Sequence, residues 1–177
     1  MTRSCEPRRS VLKVAALATL ASCRPLPHAV PAASVATRRT AMHSRPLMTL
    51  RLATAPTQNL GAGPHGTRLT FPIIGGSFEG DRLRGKVLPG GDDWVIKRSD
   101  GVLELDLRIT LETADGVLIH MTFEGIRDDA APAAPYFRTL SRFETADARY
   151  SFLNRLLAIG TGQISPDGPV HVLDEIV

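Results

Sequence analysis

Apolar and polar residues alternate in short runs along most of this chain, with Gly, Pro and Asp-Gly between the runs. Such runs are typical of β-strands that bury one face. The predicted strands cover residues 49–55, 67–74, 82–88, 94–98, 102–113, 117–127, 136–144, 155–163 and 169–176. Only residues 146–154 have a helical pattern, of one or two turns. The pattern predicts an all-β domain, an antiparallel sandwich or barrel.

The hairpin formed by residues 102–127 can be placed in register. Five apolar residues of its first strand share one face, namely Leu103, Leu105, Leu107, Ile109 and Leu111. A two-residue turn at Asp115-Gly116 would set polar residues opposite apolar ones. A three-residue loop with Gly116 in the left-handed conformation instead pairs Leu107 with Phe123, and both faces then agree. The sequence therefore predicts the three-residue loop.

The same register gathers ionisable groups on the opposite face of the hairpin. They are Asp106, Arg108, His120 and Glu124. Arg108 is a candidate for holding a carboxylate or enolate oxygen, and the two acids or His120 for transferring a proton. Two alternatives stay open. Either this face lines a barrel lumen and a partner subunit covers the leucine face, or it is a solvated outer surface and the leucines form the core.

A Gly-Gly-Asp-Asp-Trp segment ends in the only tryptophan of the chain, Trp94. As a functional segment, it would use Trp94 to close the mouth of a pocket and Asp93 as an acid or base. As a structural segment, it would use Asp93 to hydrogen-bond the turn backbone and Trp94 to plug the end of the barrel. The turn chemistry favours the structural interpretation.

Gly75-Gly76 is predicted to form a bulge or a strand bend.

The charge of the chain is distributed unevenly. Residues 1–47 contain eight Arg and Lys and a single acid, whereas residues 48–177 contain thirteen Arg and Lys and seventeen acids. The formal net charge of +3 therefore comes from the N-terminal segment, and the rest of the chain is mildly acidic. Because no basic stripe remains in the acidic part, the composition argues against a nucleic-acid partner.

The N-terminal segment has the pattern of an export signal. A paired arginine, Arg8-Arg9, precedes a short apolar run and a Leu-Ala-Ser-Cys sequence that ends at Cys23. This order is typical of a twin-arginine signal with a lipobox. Residues 1–23 are thus predicted to direct export to the periplasm or envelope, with a lipid on Cys23 as the only membrane attachment. Residues 24–47, rich in Pro, Ala and Arg, are predicted to be a disordered linker before the domain at 48–177.

Two other interpretations of this segment stay open. Cleavage after Ala36 would release a soluble periplasmic protein. Translation from Met48 or Met42 would instead leave a cytoplasmic domain.

The remaining residue types restrict the chemistry of the domain. Both cysteines, Cys5 and Cys23, precede it, so it has no disulfide, thiolate metal site or cysteine nucleophile. The histidines lack the paired spacing of metal ligands. The chain also lacks a Gly-x-Ser-x-Gly elbow and a phosphate-binding loop. The sequence therefore predicts neither a metal nor a cofactor.

A series of motifs extends over most of the domain. They include Gly63–Arg68, Gly75–Gly80, Leu83–Gly91, Gly125–Arg127, Tyr136–Arg138 and Gly160–Gly162. With these motifs, residues 49–177 resemble an uncharacterised bacterial family, the domain of unknown function DUF3237, also called UPF0311. The resemblance implies a closed antiparallel β-barrel, a meander of about 8 to 10 short strands with one short helix. It implies no activity.

The resemblance also marks individual residues. Tyr136, Arg138 and Asn154 match the family pattern, either as ligand contacts or as groups that stabilise the barrel rim. His120 stands where the family leads us to expect tyrosine.

The leading hypothesis for function is a small-molecule-binding barrel of the cell envelope, with a pocket at or inside its mouth. Its predicted ligand contacts are Asp93, Trp94, Arg108, Tyr136, Arg138 and Asn154. The alternative is a cofactor-independent lyase, isomerase or cyclase that uses a polar lumen. A third hypothesis is a structural or interaction protein with a filled core and no ligand. A homo-oligomer is compatible with each hypothesis.

Overall fold

Ten β-strands and one 3₁₀ helix form the part of the chain that the computed structural model describes, residues 41–177. The strands are β1 (Ser44–Thr54), β2 (Gln58–Gly63), β3 (Gly66–Glu79), β4 (Arg84–Val87), β5 (Gly91–Lys97), β6 (Leu103–Thr113), β7 (Leu118–Asp128), β8 (Tyr136–Glu144), β9 (Ala158–Ser165) and β10 (Gly168–Ile176). The helix spans Ala148–Arg155, between β8 and β9.

The strands close into an antiparallel barrel. From β6 to β10, each strand pairs with the next one along the chain. β1 pairs with β10 on one edge and with β3 on the other, which closes the wall. β4 and β5 both lie between β3 and β6, so together they fill one position of an eight-strand barrel. β2 pairs with the first part of β3. The predicted closed barrel with one short helix is confirmed.

The leucine face of β6 fills the interior of the barrel. Leu107 and Leu111 are completely buried, as are Ile119 and Met121 of β7. Of the two alternatives for this hairpin, the structure therefore shows the apolar core with an outward-facing polar surface. The predicted register is confirmed, because Leu107 pairs with Phe123 and Asp106 with Glu124. Gly116 has a φ of 82°, as the three-residue loop requires.

The barrel begins earlier than the pattern predicted. β1 starts at Ser44, and Leu47 and Met48 are buried. Residues 44–47 are therefore part of the wall and not of a linker. The pattern also missed β2, because its sequence of Gln, Asn, Gly and Ala with a single Leu has low strand propensity.

A bulge bends β3 where it passes from one neighbour to the next. The β1–β3 register shifts between Ala53, which pairs with Gly75, and Thr54, which pairs with Ile73. The extra residue of the bulge is thus Ile74, next to the glycine pair for which a bulge or bend was predicted. A Cβ atom on Gly76 would lie 2.1 Å from the carbonyl oxygen of Arg51. Strands β1 and β3 can approach this closely only because Gly76 has no side chain.

The export signal at residues 1–23 and the linker from 24 to 40 lie outside the described residues. Within residues 41–177, no helix has the length and apolar character needed to cross a membrane.

Candidate functional site

The pairing of β5 with β6 is interrupted in the middle of both strands. Asp93 pairs with Leu107, and pairing resumes only at Ile96 with Glu104. At the interruption, the backbone N–H of Asp106 donates a hydrogen bond to Oδ1 of Asp93 at 3.1 Å. The carboxylate of Asp93 thus accepts the hydrogen bond that a backbone carbonyl would accept in a regular antiparallel ladder.

A small pocket lies inside the barrel, next to this interruption. Its cavity volume is about 60 Å³, and its lining is mainly apolar. We call it the lumen pocket, and it is lined by Leu52, Thr54, Phe71, Ile73, Asp93, Val95, Leu103, Leu105, Arg127, Phe137, Ile164, Pro169 and His171. Asp93 faces inward because it lies directly opposite Leu107, and opposite residues of a ladder share a face.

Asp93 is a carboxylic acid with an unusual proton affinity. Burial raises its pKa from 3.8 to about 7, although the hydrogen bond from Asp106 lowers it; the nearby Asp106 charge raises it further. Near neutral pH the group is thus divided between its acid and its carboxylate. This is the state that proton exchange with a ligand requires.

His171 is the second polar group of the lumen pocket. It is only 1% exposed and lies between two aromatic rings, with ring centroids 5.0 Å from both Phe123 and Phe137. Burial lowers its pKa to about 4, so the imidazole is neutral at neutral pH. Its Nδ1 atom is buried and has no hydrogen-bond partner among residues 41–177.

Arg127 is the cationic residue of the pocket lining, but its charge already has a partner. Its Nε atom lies 2.9 Å from Oδ1 of Asp129, and its Nη2 atom lies 2.8 Å from Oδ2. The guanidinium also lies 5.7 Å from the ring centroid of Phe137. Arg127 therefore positions the aromatic wall more than it offers a free positive charge.

A wider groove lies on the outer side of the same strands. Its volume is about 550 Å³, and we call it the outer groove; it is lined by Arg68, Trp94, Ile96, Glu104, Leu105, Asp106, Glu124, Gly125 and Ile126. Leu105 contributes to both the groove and the lumen pocket. Trp94 thus lies on the outer wall and does not plug the end of the barrel.

Three of the four predicted catalytic residues lie together, but on the outer wall of the barrel, and His120 lies apart from them. Asp106 and Glu124 line the outer groove, and Arg108 flanks it with Nη2 3.1 Å from Oδ2 of Asp106. Arg108 also lies 5.7 Å from the ring centroid of Trp94. His120 is exposed further along β7, opposite Glu144 of β8, and lines neither the groove nor the lumen pocket. A polar lumen made by this set is excluded.

The remaining predicted contacts lie outside both spaces. Tyr136 is exposed, and Arg138 lies 5.4 Å from its ring centroid. The amide of Asn154 bonds both the N–H and the carbonyl of Thr145, each at 2.9 Å. Asn154 therefore fastens the 3₁₀ helix to the end of β8, which is a structural task.

Of the predicted residues, only Asp93 lies in the lumen pocket, and sequence reasoning missed His171 and Arg127. The signal for His171 was available. In β10, His171, Leu173 and Glu175 alternate on one buried face, so the pattern placed a histidine beside a core leucine. Residues 41–177 contain no group of three His, Cys, Asp or Glu side chains that could hold a metal ion.

Sequence comparison identifies relatives of this barrel. The family described as "Protein of unknown function (DUF3237)" matches residues 42–175. A UPF0311 protein of Rhodopseudomonas palustris strain TIE-1 is 33% identical over 125 residues, which are 63% of this chain and 82% of the relative. A UPF0311 protein of Clostridium acetobutylicum is 38% identical over 101 residues, 50% of this chain and 64% of the relative.

Solved structures share the architecture. A β-barrel-like protein of Acinetobacter baumannii matches with a TM-score of 0.75 and 30% identity, over 80% of this chain and 99% of its own. A conserved protein of Rhodopseudomonas palustris matches with a TM-score of 0.74 and 28% identity, over 78% and 100%. An enzyme of Penicillium herquei matches with a TM-score of 0.67 over 80% and 98%, and its 22% identity extends the likeness to the fold alone. The matched family and these relatives show that the chain belongs to the DUF3237 (UPF0311) family.

Proposed function

We propose that this barrel binds a small molecule in the lumen pocket. The observation that carries the proposal is a pair of polar groups in a mainly apolar cavity, Asp93 and His171, of which His171 Nδ1 lacks a partner among residues 41–177. Ligand sites in proteins have this composition, with apolar walls and a few polar groups that fix orientation.

Energetics favour an occupant that bonds to these groups. A buried polar atom without a hydrogen bond costs about 1 to 3 kcal/mol. A ligand that satisfies His171 Nδ1 recovers this cost on binding. The apolar side chains around it, such as Phe71 and Leu103, add about 25 cal/mol for each Å² of apolar surface that the ligand removes from water.

The size of the pocket limits how a ligand enters. A cavity of about 60 Å³ has room for roughly two water molecules at about 30 Å³ each. A ligand therefore inserts one end, and its remainder lies at the mouth beside Ile164 and Pro169. Ile164 is 54% exposed, so the mouth is open to solvent.

A blocked mouth tests the proposal. We would screen neutral aromatic and aliphatic fragments by ligand-observed NMR against the full chain and two variants. Ile164→Trp fills the mouth, whereas Ile159→Trp places the same bulk on the outer face of the same strand. We expect fragments that bind wild type and Ile159→Trp but not Ile164→Trp. Fragments that bind all three alike, or none at all, would contradict a lumen site and favour a filled structural barrel.

A second candidate function is cofactor-independent proton transfer, of the kind that isomerases and lyases use. The observation that favours it is the position of Asp93: a carboxyl group with a pKa of about 7 that faces a cavity. An acid or base is most effective when its pKa lies near the working pH.

The probe for this activity is 5-nitrobenzisoxazole. A base removes its ring C–H proton, the N–O bond breaks, and a coloured cyanophenolate forms without any co-reactant. We expect wild type to accelerate this step with a rate that rises through pH 7, and Asp93→Asn to abolish the acceleration. Equal rates for wild type, Asp93→Asn and Asp92→Asn would show that Asp93 is no general base.

We propose the cell envelope as the location, on the strength of Arg8-Arg9 and the lipobox-like end at Cys23. Fractionation of cells and mass spectrometry of the mature protein test this. We expect an N-terminal Cys23 that carries lipid, and retention in the cytoplasm when Arg8 and Arg9 are both changed to Lys. A cytoplasmic protein that starts at Met48 would contradict it.

A further inference from the structure

The polar groups of the lumen pocket restrict the charge of its ligand. Asp93 carries part of a negative charge near neutral pH and would repel an anion. Arg127 cannot offset this repulsion, because Asp129 already holds both of its facing nitrogens. The same pairing leaves Arg127 without a free charge that would act on a cation, so the loss of hydration is what disfavours a cation here. Since the walls are apolar, any net charge on the ligand would also lose its hydration. The pocket therefore suits a neutral compound.

The hydrogen-bonding capacity of the same groups restricts the polar end of the ligand. Oδ1 of Asp93 accepts from Asp106, and no described residue donates to Oδ2. A neutral imidazole presents one donor and one acceptor nitrogen, so Nδ1 of His171 takes either part. Asp93 donates a hydrogen bond in its protonated form and accepts one in its ionised form, and both forms are present near neutral pH. A hydroxyl group both donates and accepts, so it matches every combination of these states.

The walls restrict the body of the ligand. Phe71 and Phe137 lie among aliphatic side chains of the lining, such as Leu103 and Ile73. The ring of Phe137 meets that of His171 edge-on, at 84°. Such walls bind a ring through its faces and edges.

We propose that the lumen pocket takes a neutral, hydroxyl-bearing apolar compound with a ring, whose hydroxyl is bound by Asp93 and His171. This inference rests on the proposed binding function and adds the chemical class of the ligand.

Four probes of one shape separate the classes: benzyl alcohol, ethylbenzene, benzoate and benzylammonium. They share the ring and differ in the head group. We would measure their dissociation constants with the full chain at neutral pH, by NMR chemical-shift titration. We expect benzyl alcohol to bind at least about fivefold tighter than each of the others, since one hydrogen bond contributes about 1 kcal/mol.

Two variants connect this preference to the named groups. Asp93→Leu and His171→Leu should each bring the affinity for benzyl alcohol down to that for ethylbenzene. Asp93→Asn keeps a donor and an acceptor at the same place, so it should retain the preference, and it serves as the second variant if Asp93→Leu fails to fold. Asp92→Leu is the control on the outward face of β5 and should change nothing.

The outcomes distinguish this inference from the function on which it rests. Tightest binding of benzoate or benzylammonium would overturn the neutral-hydroxyl class. Equal binding of benzyl alcohol and ethylbenzene, unaffected by Asp93→Leu, would overturn it as well; if Ile164→Trp still blocks both, the lumen site stands. Failure of these probes and of every screened fragment to bind would overturn both proposals.

Discussion

Oδ1 of Asp93 accepts the backbone N–H of Asp106 at 3.1 Å, across the point where pairing between β5 and β6 is interrupted. The bond joins a side chain of the lumen pocket to the backbone of a residue that lines the outer groove. Protonation of Asp93 or its engagement by a ligand changes the acceptor strength of that oxygen. The relationship therefore connects the chemistry of the pocket to the stability of the barrel wall.

The first prediction concerns Asp93 and pH. Its pKa is higher in the folded state, about 7, than the ordinary value of 3.8 that applies when the chain is unfolded. The folded state thus holds the proton more tightly, and its stability falls as pH rises from about 4 to 7. Asp93→Asn removes this loss. We expect the variant to gain about 4 kcal/mol of unfolding free energy relative to wild type between those limits, measured by urea denaturation.

The control for this prediction is the neighbouring outward-facing residue. Asp92→Asn removes the same charge from the same strand, on the other face. Its difference from wild type should not change with pH by more than about 0.5 kcal/mol. An equal pH effect in both variants would show that the burial of Asp93 is not responsible.

The second prediction concerns His171, whose contribution to stability changes with pH in the opposite direction. Its pKa is lower in the folded state, about 4, than its ordinary 6.5. The neutral, buried ring contributes its full stabilisation of the folded state above pH 6.5, and this contribution is lost as pH falls toward 4. His171→Leu should therefore gain about 2 to 3 kcal/mol relative to wild type as pH falls through this window, again by urea denaturation.

Asp93 and His171 offset each other in the window from about pH 4 to 6.5. In Asp93→Asn, the unfolding free energy should fall as pH falls through this window, because the effect of His171 is no longer offset. In His171→Leu, it should rise as pH falls, because the effect of Asp93 is no longer offset. Slopes of the same sign in the two variants would contradict the assignment of both groups to the lumen.

The third prediction concerns Glu175, a buried carboxylate near the end of β10. Its side chain is 3% exposed and pairs with Arg45 and Arg82. Burial alone would raise its pKa, but the hydrogen bonds from the two arginines outweigh burial and lower it. Glu175→Gln leaves both guanidiniums without their anion. Because hydrogen bonds to a charged group are lost, we expect the unfolding free energy to fall by about 1.5 to 3 kcal/mol.

A more exposed ion pair gives the comparison. Oε1 of Glu112 lies 3.3 Å from Nζ of Lys86, and the Glu112 side chain is 30% exposed, against 3% for Glu175. Solvent screens such pairs, so Glu112→Gln should cost less than about 1 kcal/mol. If Glu175→Gln cost no more than Glu112→Gln, the arginine pair around Glu175 would have no special role.

The fourth prediction separates two glycines by their surroundings. Gly116 has a φ of 82° and open space around it, so Gly116→Ala should cost about 1 kcal/mol through backbone strain alone. Gly76→Ala would place a methyl group 2.1 Å from a carbonyl oxygen of β1. We expect Gly76→Ala to prevent closure of the barrel, visible as loss of cooperative thermal unfolding. Similar melting curves for the two variants would contradict the close approach at Gly76.

The sequence predicted the β6–β7 hairpin because strict alternation and a turn of known length determine register together. Leu107 opposite Phe123 followed from these two facts alone. Closure of the wall could not be derived in this way, because it depends on β1 pairing with β3 around a glycine bulge. Long-range pairing of this kind leaves little trace in local alternation.

The site was harder to predict because β5 reverses the usual pattern. Its large apolar residues, Trp94 and Ile96, line the outer groove, whereas Asp93 faces the core with Val95. Local hydrophobicity assigns the faces of this strand the wrong way round, and only its register with Leu107 corrects it. The juxtaposition of Asp93 with His171 joins β5 to β10, and no local pattern connects these two strands.

The most direct measurement is a ¹³C NMR titration of the aspartate carboxyl groups in the full chain, with Asp93 identified by its absence from Asp93→Asn. We expect a carboxyl resonance that titrates near pH 7 and shifts when benzyl alcohol is added. A resonance that titrates in the ordinary range of aspartate and does not respond to benzyl alcohol would contradict it.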